Sequence, residues 1–294
     1  MRIGAHVPMD EGLAGALAYA EATGCEAIQL FAKSPRRWSG PQRDPALTAE
    51  FRAACAARGP LPVFTHASYL INLGASDPVQ WERSCAALAD ELLRAYGLGA
   101  AGMVVHLGTR FCDDDGDCTA RVAETVVRAV ELADGPVATL LLENSAGAGR
   151  QYGTDAREMA AALLAVRAEG IAAALCLDTC HAFAAGIDVR GDEGWSALLS
   201  HIEGECGPDA VALVHANDCK GELGSHRDRH DWIGDASIGE GGFAAMFAQP
   251  YLQRASAVVE MPGEPPVKDA ENVSRLKRLR DAAAASAGPD QEPA

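Results

Sequence analysis

Eight short apolar or β-branched runs, each followed by a longer Ala- and Leu-rich stretch, recur along this chain, and no other feature narrows its fold as much. The runs are RIGAHV from Arg2, AIQLFA from Ala27, VFTH from Val63, GMVVHLG from Gly102, VATLLLEN from Val137, IAAALCLD from Ile171, AVALVHAND from Ala210 and SAVVEMP from Ser256. Such runs read as buried strands. The stretches between them carry helical periodicity, as from Asp77 to Tyr96, where Trp81, Cys85, Leu88, Leu92 and Tyr96 recur at the spacing of one buried face. Strands alternating with helices imply a parallel sheet, and eight right-handed units predict an α/β protein with a closed TIM (β/α)8 barrel. Residues 1–285 are expected to form that single domain. The tail SAGPDQEPA, residues 286–294, lacks a core-forming pattern and is expected to be disordered.

Charge and cysteine usage set limits on function. The 25 Lys and Arg against 41 Asp and Glu leave a formal charge of −16, which by itself argues against nucleic acid as a partner, so any DNA contact has to come from local cations or bound metal. The nine cysteines are scattered and form no CxxC pair, which suits a reducing compartment. Arg2 to Val7 is too short and polar for a signal segment, and no apolar run reaches membrane-spanning length. A cytoplasmic, monomeric protein with no membrane contact is expected. The acidic run CDDDGDC places Asp113, Asp115 and Asp117 at calcium-loop spacing, but Cys118 stands where that loop requires glycine.

Metal-capable side chains fall at the strand ends. His66 closes the third run, His106 the fourth, Glu143 the fifth, Asp178 the sixth, His215 the seventh and Glu260 the eighth. Barrel enzymes build their sites at that face, where side chains converge whatever their separation in sequence. His181 follows Asp178 by three residues, and Asp228 and His230 lie in the stretch from Asn217 to Gly242, a long loop with no obvious helix. A single histidine at a strand end is more often structural, but structural histidines scatter over both faces and these do not. Five imidazoles and four carboxylates suit zinc or manganese better than magnesium, and nine ligands exceed what one ion takes, so two or three ions are implied. Cys176 and Cys180 flank Asp178 but read as buried thiols.

These residues stand in longer stretches that resemble the endonuclease IV family of zinc-dependent apurinic/apyrimidinic endonucleases. The matching stretches are IGAHV, LFAKSPRRW, HASYLINLG, VVHLGT, LLENSAGAG, LDTCHAFAAG, HANDCKGELGSHRDRH and VVEMP, in family order. The resemblance implies three zinc ions, with manganese a second candidate at one site. His66, His106 and Glu143 would hold the first; Glu143, Asp178, His215 and Glu260 the second; His181, Asp228 and His230 the third. It implies hydrolysis on the 5′ side of an abasic site in duplex DNA, leaving a 3′-hydroxyl, with Glu260 and Glu143 as catalytic carboxylates and Glu260 orienting the attacking hydroxide. It also implies DNA contacts from Lys33, Arg36, Arg37 and Trp38 in one loop, a wedge made by Tyr69 and Leu70, and positive charge from Lys220, Arg227 and Arg229.

The chain departs from the family at Gly234 to Ala236, where GDA replaces the usual GEG, and at Trp232, where a polar residue is commoner. The alternative is a metal-dependent sugar isomerase or epimerase of the related barrel superfamily. Such an enzyme has no use for DRH in a long seventh loop or for an exposed Tyr-Leu wedge.

Overall fold

The computed structural model describes residues 1–59, 61–260 and 267–286. All eight expected strands form, as β1 (Arg2–His6), β2 (Ala27–Phe31), β3 (Val63–His66), β4 (Gly102–His106), β5 (Leu140–Glu143), β6 (Ala173–Asp178), β7 (Val211–His215) and β10 (Ser256–Val259). They close into a parallel barrel in which β10 lies between β7 and β1. Met261 and Pro262 of the last run lie outside the described residues, as do residues 287–294 of the tail.

Helices α1 (Gly12–Ala22), α2 (Pro45–Ala57), α3 (Pro78–Leu98), α4 (Asp115–Ala133), α5 (Ala156–Ala168), α6 (Thr179–Ala185), α7 (Asp192–Cys206), α8 (Gly239–Ala248) and α9 (Val267–Ser286) follow the strands. Helix α3 shows how locally they are set. The Asp77 side chain accepts from the Gln80 amide at 2.8 Å, Pro78 occupies the first turn, and Gly99 ends the helix in the left-handed region at φ 69°. Its buried face holds Cys85, Leu88 and Leu92, but it continues through Ala95 and Leu98; Tyr96 is exposed, because Ala95 takes the place against the sheet. No described helix is long and apolar enough to cross a membrane.

The stretch from Asn217 to Gly242 is more ordered than its sequence suggests. It contains a small antiparallel pair, β8 (Asp218–Cys219) with β9 (His230–Asp231), and the start of α8. The CDDDGDC run feeds α4: Asp114 caps it by accepting from the Asp117 amide, while Asp113 and Asp115 pair with Arg150 and Arg110.

Strand parity explains where the functional side chains point. Ala27, Phe64, Val104, Leu141, Cys176, Leu213 and Val258 fill the barrel interior as one apolar cluster. Side chains two residues on point the same way. Gln29, His66, His106, Glu143, Asp178, His215 and Glu260 therefore project inward one layer above that plug, at the C-terminal mouth. A register shift between β6 and β7, where Cys176 pairs with Leu213, brings Asp178 level with His215. Below His6, Gly4 lets β1 approach β2; a Cβ there would lie 1.6 Å from the Ala27 carbonyl oxygen.

Candidate metal centre

All nine sequence-nominated donors meet at the mouth of the barrel: His66, His106, Glu143, His181, Asp228, His230 and Glu260 line a cleft of about 610 Å³, and Asp178 and His215 are fully buried beside them. Donor atoms of His66, His106 and Glu143 lie within 4.8 Å of one another, and so do those of Glu143, Asp178, His215 and Glu260. Glu143 joins these groups. One of its oxygens faces His66 Nε2 at 3.2 Å and His106 Nδ1 at 3.3 Å, and the other faces His215 Nδ1 at 2.9 Å. The third nominated group is linked pairwise, with Asp228 3.2 Å from His181 Nε2 and 3.1 Å from His230 Nε2. Around it the fold also gathers Asp178, 3.5 Å from His230 Nε2, and the buried Cys180.

The electrostatics suit cations. Glu143 and Asp178 are fully buried, and their donor atoms lie within 4.8 Å of each other and of Glu260. Burial raises the Glu143 carboxyl, but the imidazoles of His106 and His215 outweigh it and hold the group well below the usual carboxylate range. Burial likewise presses His181 down, and Asp178, Asp228 and Glu143 reverse this, lifting it to about 10. His106 has less compensation and is pushed down to about 4. Buried carboxylates interleaved with imidazole nitrogens at these separations are the donor set of divalent transition ions, which would replace the ring protons, so the residues present fit such metals. His230 Nε2, buried and facing the carboxylates of Asp228 at 3.1 Å and Asp178 at 3.5 Å, is a nitrogen that a bound cation would share with them.

Backbone carbonyls orient three of the rings. His66 Nδ1 lies 2.8 Å from the Ala67 oxygen, His181 Nδ1 3.0 Å from the Asn144 oxygen, and His230 Nδ1 3.0 Å from the Glu260 oxygen. Each thereby donates Nδ1–H and turns Nε2 toward the carboxylates of the centre. Asn217 donates to Asp178 at 2.6 Å and accepts from the Glu260 amide at 2.8 Å, tying β6 to β10.

The departures at the third group are accommodated. Asp218, fully buried, accepts from the amides of Cys219, Gly234, Ala236, Ile238 and Gly239 at 2.8–3.2 Å. The contacts at positions 234 and 236 are made by backbone, so GDA in place of GEG leaves them intact. The Trp232 ring packs under Lys268 Nζ at 3.3 Å, which fastens this loop to α9.

The nominated DNA residues divide. Arg36, Arg37 and Tyr69 are exposed, Tyr69 by 60%, and Leu70 is half-buried beside it. Arg229 and Lys220 line the cleft, while Arg227 is exposed outside it. Lys33 requires correction as a DNA contact. Its side chain is wholly buried, with Nζ 3.0 Å from Glu91 and donating to the carbonyls of Arg37 and Trp38. Glu91 also accepts from the Ser68 amide, and Ser68 Oγ donates to the Pro35 carbonyl, so the buried pair joins the Arg36–Arg37 loop to the Tyr69–Leu70 loop. Trp38 is half-buried against the core.

Two site residues escaped the sequence analysis. His6 ends β1 as other donors end their strands, and its Nδ1 lies 3.2 Å from Glu260 Oε1. Gln29 donates to the same oxygen at 2.7 Å and accepts from His215 Nε2 at 2.9 Å. Strand parity was the signal that could have found both.

A closed barrel with converging imidazoles and carboxylates at its mouth defines a candidate metalloenzyme of the xylose isomerase-like TIM barrel family, whose model matches residues 17–282. "Endonuclease 4" of Thermus thermophilus is 39% identical over 281 residues, 94% of this chain and 97% of that protein. "Probable endonuclease 4" of Methanoculleus marisnigri is 37% identical over 280 residues, covering 95% and 99%. A crystal structure of endonuclease IV from Thermus thermophilus superposes with a TM-score of 0.83 at 37% identity, covering 96% of this chain and all of that one. The chain belongs to the endonuclease IV family.

Proposed function

We propose that this protein is a DNA repair endonuclease that hydrolyses the phosphodiester 5′ to abasic sites in duplex DNA and leaves a 3′-hydroxyl. The observation that carries this reading is the convergence of nine donors in linked groups at the barrel mouth, seven of them lining one open cleft, in a chain whose relatives are endonucleases. Three zinc ions fit the groups, with manganese the second candidate at one of them. Such ions, when bound, neutralise phosphate oxygens and lower the pKa of water to near neutrality. All nine donors come from a single chain, which supports a monomer, and nine free thiols suit the cytoplasm.

The chain's own residues supply positioning. Glu260 is held at Oε1 by Gln29 and His6 and borders the cleft, where it orients the attacking hydroxide. Arg36, Arg37, Lys220 and Arg229 contact backbone phosphates. Tyr69 and Leu70 enter the stack at the lesion, where unstacking is cheapest. The kinship with isomerase barrels is one of fold, and an exposed tyrosine beside an open cleft suits a polymer better than an enclosed sugar.

The test is cleavage of a labelled duplex containing one tetrahydrofuran abasic analogue, beside an undamaged duplex. Incision immediately 5′ of the analogue is expected, with Glu260→Gln slower by at least ~100-fold and the undamaged duplex intact. A folded, zinc-loaded protein that leaves the lesion duplex uncut would overturn the reading.

A further inference from the structure

Each imidazole at the centre offers one nitrogen to the cleft, and which nitrogen that is depends on where the other one's proton goes. For His66, His181 and His230 the acceptor is a backbone carbonyl. His215 differs. Its Nδ1 faces Glu143 at 2.9 Å and Glu260 at 3.2 Å, while Nε2 meets the side-chain oxygen of Gln29 at 2.9 Å. Gln29 is itself fully buried.

The orientation of that carboxamide is forced. Its nitrogen lies 2.7 Å from Glu260 Oε1, and a carboxylate only accepts. Turning the amide over would set oxygen against oxygen there. With the oxygen toward His215, Nε2–H donates to Gln29, which leaves Nδ1, facing Glu143 and Glu260, as the nitrogen that a metal would take.

Resting on the metal-centre reading, we infer that Gln29 is the positioning residue of the four-donor group: it makes His215 a ligand through Nδ1 and aims Glu260 by its spare oxygen. From β2 it reaches donors at the ends of two other strands, β7 and β10. Asn217 likewise bridges two donors, Asp178 and Glu260, but both are carboxylates, so it sets no tautomer. Because the role of Gln29 belongs to a side chain, substitution can remove it, as it cannot remove the carbonyls behind His66, His181 and His230. Partners of this kind are worth roughly 10–100-fold in metal affinity.

Two measurements test the inference. In long-range proton–nitrogen spectra of the zinc-loaded wild type, His215 is expected to show zinc on Nδ1 and hydrogen on Nε2. Chelator competition is then run on wild type and Gln29→Leu, with circular dichroism confirming the fold. One zinc equivalent should weaken by ~10–100-fold in the variant while the others hold. If Gln29→Leu fails to fold, Gln29→Met replaces it, and the wild-type spectrum decides independently. Zinc on Nε2 of His215 overturns the inference. So does a variant that melts earlier when metal-free yet binds zinc as the wild type does. A wild type that takes up no zinc instead sinks the metal-centre reading itself, so the two failures are distinguishable.

Discussion

In the metal-free chain His181 and His230 carry protons, and so does His215, which is held well above the ordinary imidazole value. Burial opposes the charge, but Asp178 and its neighbours outweigh it and lift His181 to about 10 and His230 to about 9. Metal uptake near neutral pH therefore displaces protons from both rings, and apparent affinity should strengthen as pH rises toward 9, by up to ~100-fold per unit for two protons. Titration of the apoprotein with zinc at several pH values in a chelator buffer checks this. The same shifts affect stability with a definite sign. Since both folded values exceed the unfolded value of about 6.5, their contribution is complete below that pH and is lost as pH rises through about 9 and 10. The urea midpoint of metal-free protein should fall in that window, and the zinc-loaded protein, whose rings are already neutral, should not share the loss. At this scale the donors were legible because they end strands. Gln29 was not, since a glutamine inside AIQLF carries no metal signal and only the closed barrel brings His215 and Glu260 to it.

The loops after β2 and β3 behave as one element through the buried Lys33–Glu91 pair. A substitution at Lys33 leaves a carboxylate buried without its partner, a change worth roughly 3–5 kcal/mol. Lys33→Met is expected to lower stability by about that amount, measured by urea unfolding, and to weaken binding to lesion duplex while zinc content stays at the wild-type level. Unchanged duplex affinity in the folded variant would show that the loops act separately. The motif KSPRRW names four cationic or aromatic side chains but not which of them turns inward. Its sequence does not reveal that Glu91, on a helix beginning after the next strand, reaches back for the lysine. The hairpin of β8 and β9 was hidden for a similar reason: two-residue strands have no periodicity, and backbone bonds to Asp218 hold that loop.

Over the whole molecule, the alternation of runs specified the barrel because each strand is buried on both faces and so reads as continuously apolar. The charge of −16 was less informative, since sequence totals do not say where acids lie. In the proposed function, attraction to DNA is assigned to a few exposed cations around the cleft. With about four phosphate contacts, from Arg36, Arg37, Lys220 and Arg229, log affinity should fall against log salt with a slope of roughly −3 to −4. Arg36→Ala with Arg37→Ala should bring it to about −2; fluorescence anisotropy with a catalytically inactive Glu260→Gln protein measures both.

The order in which donors arrive along the chain has a temporal consequence. His66, His106 and Glu143 are all in place once β5 has formed, but the four-donor group waits for Glu260, which follows the strand that docks between β7 and β1. Full metal loading is thus a seal on a finished barrel. A nascent chain stalled before β10 holds part of the chemistry and cannot complete it, so the nuclease stays unarmed until its own architecture has closed.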